Sequence, residues 1–193
     1  MQPAQMDFKE AVKACFSKAF TFTGRARRSE YWYWCLFVFI VSMPFAILLE
    51  FVPEDVWALM LPLSMVYSGW SIFCSIASFA VAIRRLHDIG RSGWWYGGMV
   101  IYGSIWALIM VIGVFVALLS AVGDSAEPQF SSLIPWLVVV LITYIPFLLY
   151  GIVLLVWFCT DSTPGPNKYG ENPKGVGAVV ETIVPSEEIE TEN

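Results

Sequence analysis

The chain has 193 residues, of which 58% are hydrophobic and only 14% are charged, and its mean hydropathy is +0.66. Soluble domains carry about 25% charged residues, so this composition excludes a disordered chain and argues against an ordinary water-soluble enzyme. It is typical of a polytopic membrane protein with room for one helical bundle. The formal net charge of −5 argues against nucleic acid as a partner.

Residues 1–30 precede the first apolar run of membrane-spanning length. Apolar residues recur at helical spacing from Phe8 to Phe20, and lysines occupy other positions around the helix. This pattern predicts a short amphipathic helix on the inner membrane surface, with its basic side toward anionic head groups. The alternative is a helix packed against the cytoplasmic end of the bundle. We expect the first apolar run itself to be an uncleaved helix, because no signal-peptide core precedes it.

Four long apolar segments then follow one another. Each contains the ~20 apolar residues that a helix needs to cross the hydrocarbon core, where backbone groups must bond internally. The predicted spans cover residues 31–51, 56–83, 94–122 and 133–158. The fold class is therefore an all-α integral membrane protein, with a four-helix transmembrane domain at residues 31–160.

The basic residues predict the orientation of these spans. All eleven lie in the N-terminal segment, in the loop between the second and third spans, or in the tail after the fourth span. The positive-inside rule then puts both termini and the second loop in the cytoplasm. The N-terminal segment and second loop carry nine basic residues against four acidic ones. The inner face is therefore basic, and the overall net charge does not exclude anionic lipid there.

Two spans carry small residues at helical steps. Serines in the second span recur every three or four residues, a period that holds one face toward a neighbouring helix. We expect close packing there, with a polar path for water or an ion as the alternative. Small residues at steps of four predict a second contact face in the third span. These packing residues are Ser64, Ser68, Ser71, Ser75 and Ser78, and Gly113, Ala117 and Ala121.

Residues 161–193 form a cytoplasmic tail. Its first ten residues are rich in turn formers, which predicts an ordered loop at most. Beyond about residue 177 the chain is acidic and simple, which predicts disorder. The chain has no zinc-type cysteine spacing and no phosphate-binding glycine loop, so we expect no metal and no cofactor.

Two arginine-rich segments meet at the predicted inner face, one before the first span and one after the second. Their six arginines are called the arginine collar: Arg25, Arg27, Arg28, Arg84, Arg85 and Arg91. We expect Glu30 and Asp88, with His87 beside them, to pair with these arginines and lock the helix ends together. Six arginines outnumber two acids, so the collar is also expected to bind lipid phosphates or a partner protein.

Three ordered motifs in these regions resemble one bacterial family. They are Gly-Arg-Ala-Arg-Arg-Ser-Glu-Tyr-Trp from Gly24, Arg-Arg-Leu-His-Asp from Arg84, and Thr-Pro-Gly-Pro-Asn-Lys-Tyr-Gly from Thr163 with Asn-Pro-Lys from Asn172. From about Phe8 to Lys174 the chain resembles the YhaH-like inner-membrane family, a domain of unknown function (DUF805). The resemblance implies a multi-pass protein of the bacterial plasma membrane. It brings no catalytic residue, substrate or cofactor.

We therefore expect a non-enzymatic inner-membrane protein whose collar binds anionic lipid head groups or a partner protein, with homo-oligomers as a further option. A small transporter or channel that uses the serine face is the main alternative. An enzyme acting on lipid head groups is a third, for which Arg84, His87 and Asp88 are the candidates. We assign no catalytic residue.

Overall fold

The computed structural model describes residues 6–51, 56–123 and 130–175. Within these ranges the regular elements are five α-helices: α1 Phe8–Ser17, α2 Arg28–Phe51, α3 Trp57–Asp88, α4 Trp94–Gly123 and α5 Phe130–Cys159. Helices α2 to α5 are each long and apolar enough to cross a membrane. The prediction of an all-helical chain with four helices of spanning length is confirmed.

All four long helices extend past the apolar segments that predicted them, α4 by a single residue. Helix α2 begins at Arg28 instead of residue 31, and α3 continues to Asp88 instead of ending at residue 83. The extra residues of α3 include two arginines, and arginine and leucine are good helix formers. Hydropathy thus identifies the part of a helix that is apolar enough for the membrane. The helix itself can extend farther where its polar residues have hydrogen-bond or ion-pair partners.

Large apolar side chains cover the outside of the four long helices. The most apolar stretch of α4 has no buried residue, and α5 has very few. Contiguous apolar surface on this scale is unfavourable in water, and a hydrocarbon environment accommodates it.

The described chain divides into two compact units. The first unit, Met1–Gly93 with Thr160–Asn193, contains α1, α2, α3 and the segment after α5. The second unit, Trp94–Cys159, contains α4 and α5. Residues 160–175, called the tail loop, therefore group with the first three helices, although α5 directly precedes them in the chain.

In the second unit, α4 and α5 pack through aromatic side chains and polar contacts near Thr143. The Tyr102 hydroxyl donates to the Thr143 carbonyl at 2.7 Å, and Trp106 Nε1 donates to the Thr143 hydroxyl at 3.1 Å. A Cβ at Gly113 would collide with the indole of Trp136, so only glycine fits against that ring without a shift. The side chains of Ala117 and Ala121, the other two residues of the predicted small-residue face, lie outside the described residues.

Helix α1 packs against α2 and α3 in the first unit. Asp7 accepts a hydrogen bond at its N-terminus and the Glu10 side chain reaches back, which forms a capping box. Ala11 and Cys15 are fully buried on the side that faces α2 and α3. The packing alternative for this segment is thus observed, and its position relative to lipid stays a prediction.

Candidate functional site: a buried charge cluster

Five charged residues are buried together at one end of the first unit. They are called the charge cluster: Arg25, Glu30, Arg84, Arg85 and Asp88, each at most 7% exposed. They come from three places: the turn before α2, the first turn of α2, and the last turns of α3. Charged side chains are almost never this buried unless they are paired, so the contacts of each one define what the site can do.

Two glycines give the backbone the turns that bring these segments together. Gly24, with φ +86°, precedes Arg25, and Gly90, with φ +76°, follows the end of α3. The amide of Arg91 bonds to the Leu86 carbonyl at 2.9 Å, and the amide of Gly90 bonds to the His87 carbonyl at 3.0 Å. These are the two bonds of a Schellman motif, which ends α3 directly after the cluster.

Asp88 is the hub of the charge cluster. Its Oδ1 accepts from Arg25 Nε at 2.9 Å, and its Oδ2 accepts from Arg85 Nη1 at 2.5 Å and from the Ser162 hydroxyl. The side chain has no solvent exposure. One carboxylate thus joins the turn before α2, the last turn of α3 and the tail loop.

Arg25 fastens the tail loop to this hub. Its Nη1 donates to the Gly165 carbonyl at 2.8 Å and to the Gly170 carbonyl at 3.3 Å. Its Nη2 donates to the Thr163 carbonyl at 2.8 Å and to the Asp88 carbonyl at 3.2 Å. The planar guanidinium holds several acceptors in fixed directions at once, which a lysine ammonium does less well.

Thr163 and Asn167 complete the attachment of the tail loop to α3. The Thr163 amide and hydroxyl both donate to the Asp88 carbonyl, at 3.2 and 2.9 Å. The amide side chain of Asn167 donates to the His87 carbonyl at 2.9 Å. Carbonyls at the end of α3, which lack partners within the helix, are therefore satisfied by the loop.

A second ion pair links α2 to α3 beneath α1. Arg84 Nη1 donates to Glu30 Oε1 at 2.6 Å, and the Cys15 thiol of α1 lies 3.9 Å from the Glu30 carbonyl. Burial, and then the neighbouring Glu30 charge, raise the pKa of Cys15 to about 12. Arg84 Nε and Nη2 have no hydrogen-bond partner among the described residues. Cys15 is thus a neutral thiol, and Glu30 balances the Arg84 charge.

His87 lies at the rim of the cluster and is partly exposed. Its Nδ1 donates to the Gly24 carbonyl at 3.2 Å. Its ring stacks on Tyr169 with centroids 3.8 Å apart and an angle of 6° between the planes, and Lys168 Nζ lies 4.9 Å from the centroid of the Tyr169 ring. His87 therefore contacts both the turn before α2 and the tail loop.

The remaining collar arginines lie farther out. Arg27 donates from Nε to the Pro173 carbonyl at 2.7 Å, whereas Arg28 and Arg91 are exposed. At the edge of the tail loop, Lys174 pairs with Asp161, and that hydrogen bond lowers the pKa of Asp161. The collar thus comprises three buried arginines with internal partners, the half-buried Arg27 bonded to the tail loop, and the exposed Arg28 and Arg91.

The predicted serine face of α3 is largely exposed in the structure. Ser68, Ser71 and Ser75 are exposed, and Ser64 and Ser78 are half-buried. The hydroxyls of Ser64, Ser68 and Ser75 donate to carbonyls of their own helix at 2.7–2.8 Å. Ser78 differs, because it accepts a hydrogen bond at 2.9 Å from a tryptophan of α2. The residues that α3 buries most deeply along this stretch are apolar and small: Cys74, Ala77, Ala80, Val81 and Ala82.

Sequence reasoning named the charged residues of this cluster but missed the tail loop as their partner. Ser162, Thr163 and Asn167 supply polar atoms to it, and glycine carbonyls supply more. The available signals were the turn-rich composition and the family motif at residues 163–170. Neither says which helix end a turn-rich segment will contact. Among the described residues, no group of three or more His, Cys, Asp or Glu could hold a metal ion.

Comparisons with known proteins place the chain among bacterial membrane proteins. Residues 19–171 match a family described as "Protein of unknown function (DUF805)". The inner membrane protein YhaI of Escherichia coli K12 is 32% identical over 154 residues, which are 79% of this chain and 86% of YhaI. The inner membrane protein YhaH of the same strain is 27% identical over 154 residues, 79% of this chain and 87% of YhaH. No solved structure matches the chain.

Proposed function

The chain belongs to the DUF805 family, and from that premise we propose that it is a non-enzymatic membrane protein whose exposed basic surface binds anionic phospholipid head groups. Membership confirms the resemblance, and the relatives support an inner-membrane location. Both termini lie in the cytoplasm in this proposal, because the positive-inside rule places every basic segment there.

The observation that carries the proposal is the division of the basic residues into buried and exposed sets. Arg25, Arg84 and Arg85 are buried and occupied by internal acceptors, so they serve to hold helix ends together. The exposed basic residues of the same unit are Lys9, Lys13, Lys18, Arg28, Arg91 and Lys168. Only two exposed acids, Asp7 and Glu10, lie on α1 or its cap. The head-group role predicted for the collar therefore falls to this exposed set.

Exposed tryptophans at the starts of two long helices support a membrane surface over a protein partner. Trp32, Trp94 and Trp95 lie near the starts of α2 and α4 and are 39%, 76% and 45% exposed. Tryptophan at helix ends is typical of the membrane–water interface. Lysines near an anionic leaflet contribute about 1 kcal/mol each to binding. Several such charges, together with exposed tryptophans at helix starts, favour lipid without a dedicated pocket.

The test is lipid retention by the purified protein in mixed micelles of phosphatidylglycerol and phosphatidylcholine, measured by native mass spectrometry. The double variant Lys9→Gln/Lys13→Gln should lower the preference for the anionic lipid about 30-fold, since two charges contribute about 2 kcal/mol. The matched control Lys9→Arg/Lys13→Arg keeps both charges and should keep the preference.

Two results would count against the proposal. One is an unchanged preference for anionic lipid in the glutamine variant. The other is a stoichiometric protein, instead of lipid, that co-purifies and is lost with the two lysines. Reporter fusions within residues 52–55 and 124–129 check the orientation separately, because both segments should report from the outside in this proposal.

A further inference from the structure

We infer that α1 and the turn after it form a leaflet wedge, in which Phe16, Phe20 and Phe22 contact the upper acyl chains of the inner leaflet. The inference rests on the proposed orientation of the chain. It adds a second lipid contact to the head-group binding proposed above, one made by apolar rings instead of charges.

The first step is the arrangement of residues around α1, which turns by about 100° per residue. Ala11 and Cys15 form the buried side toward α2 and α3. Val12 and Phe16 lie on one flank of that side, with Lys9 on the same flank two turns nearer the start of the helix, and Glu10 lies on the other flank. The helix therefore has a packed side, a polar flank and a flank that is basic at Lys9 and apolar toward Phe16, which is the arrangement of a helix that lies in a membrane interface.

The second step is the direction in which the apolar flank points. The Phe16 ring stacks on Phe73 with centroids 5.5 Å apart and also lies 5.6 Å from Phe37. Phe73 is fifteen residues from the charged end of α3 at Asp88, or about 22 Å along the axis at 1.5 Å per residue. The apolar flank thus points away from the charge cluster and along the apolar part of α3.

The turn after α1 continues the same surface. Phe20 also contacts Phe73, at 6.4 Å between ring centroids, and Phe22 contacts Phe79 at 6.0 Å. The chain returns from there to Arg25 in the charge cluster. The segment therefore runs along the apolar part of α3 and then returns to the charged end of α3. It is too short to cross a membrane by itself.

The third step is exposure. Phe16, Phe20 and Phe22 remain 41%, 68% and 39% exposed although each packs against a ring of α3. They lie beside a helix stretch apolar enough for a membrane, so the surroundings of that stretch also surround their exposed sides. A one-sided apolar surface next to lysines that can extend to the head groups fits lipid acyl chains.

The test places a nitroxide spin label on the wedge and compares its collisions with oxygen and with a water-soluble nickel chelate in phosphatidylglycerol-containing vesicles. The full chain carries Cys35, Cys74 and Cys159 replaced by alanine, and it keeps the fully buried Cys15 as an unlabelled background. The label goes on Phe20→Cys, and the matched control is Ser17→Cys on the exposed polar side of α1.

Collisions with oxygen should exceed those with the nickel chelate at position 20, and the reverse should hold at position 17. A label at position 20 that meets the nickel chelate as often as the label at position 17 would overturn the wedge. Phe22→Cys is a second variant with the same expected result, in case the first substitution disturbs folding. The label at position 22 has to show the same preference for oxygen over the nickel chelate as the label at position 20.

The lipid-retention experiment separates this inference from the proposed function. A water-exposed label at position 20, together with anionic-lipid preference that depends on Lys9 and Lys13, would remove the wedge and leave the head-group role intact. A membrane-embedded label, together with no effect of the two lysines, would keep the wedge and remove the head-group role.

Discussion

Replacement of Asp88 by asparagine tests whether the charge cluster holds the first unit together. Asparagine keeps the shape of the side chain but removes the charge that faces Arg25 at 2.9 Å and Arg85 at 2.5 Å. Both side chains and the carboxylate are essentially without solvent exposure. Removal of one partner from a buried ion pair costs about 3–5 kcal/mol, because the charge left behind stays buried without compensation. Here two charges are left behind, so we expect the upper part of that range.

For a chain of this size, about 1 kcal/mol corresponds to 2–4 °C in Tm, so a cost of about 4–5 kcal/mol in Asp88→Asn should lower the Tm by about 8–20 °C. The measurement is thermal unfolding of the purified protein in detergent, followed by circular dichroism, with limited proteolysis of the tail loop as a second readout. The tail loop should become susceptible to protease at temperatures where the wild-type loop resists it.

The control is Asp161→Asn, which removes a carboxylate of the same loop that is 65% exposed and pairs with Lys174. Exposed ion pairs contribute about 0–1 kcal/mol, so the shift in Tm should be under about 4 °C. Equal shifts for the two variants, or no change in proteolysis with Asp88→Asn, would refute the conclusion that the cluster fastens the tail loop.

Two further predictions concern a glycine and a thiol. Gly90 has φ +76° at the end of α3, so Gly90→Ala should lower the free energy of unfolding by about 1–2 kcal/mol. Gly69 lies at a helical position where an added Cβ would meet open space, so Gly69→Ala should raise the free energy of unfolding by up to about 1 kcal/mol. Denaturant titration of both variants gives the comparison, and a shift of the same sign at both sites would contradict it. The pKa of Cys15, raised to about 12 by burial, lowers its thiolate fraction at neutral pH about a thousandfold. Maleimide should therefore modify the exposed Cys159 and leave Cys15 unmodified until the protein is denatured. Mass spectrometry of the peptides measures the labelling, and equal labelling of the two thiols in the native protein would contradict this expectation.

The four long helices were predictable because the need to satisfy every backbone group in hydrocarbon leaves a long apolar segment few alternatives. Their ends were less predictable. Helix α3 continues through Arg84 and Arg85 because these charges find partners in α2 and in its own last turn. Hydropathy averages over neighbouring residues and contains no information about such long-range partners.

The charge cluster was predictable in composition and not in connectivity. The acids and arginines lie near one another in two short motifs, so some pairing was expected. The choice of Arg25 as the second partner of Asp88 depends on the fold of a turn that contains Gly24. The role of the tail loop depends on main-chain carbonyls at residues 165 and 170, and any residue carries a carbonyl. Sequence alone therefore cannot single out these acceptors.

The attachment of Arg25 to the tail loop also orders events during synthesis. Its bonds to the carbonyls of Gly165 and Gly170 join residues 140 and 145 positions apart. Contacts of such long range form only after the intervening chain exists. By then the ribosome has made all four long helices, so Arg25 can bind Asp88 well before its acceptors in the tail loop exist. The loop therefore closes only after residue 170 has been made, and a chain that stops before it leaves the end of α3 without the bonds from Thr163 and Asn167.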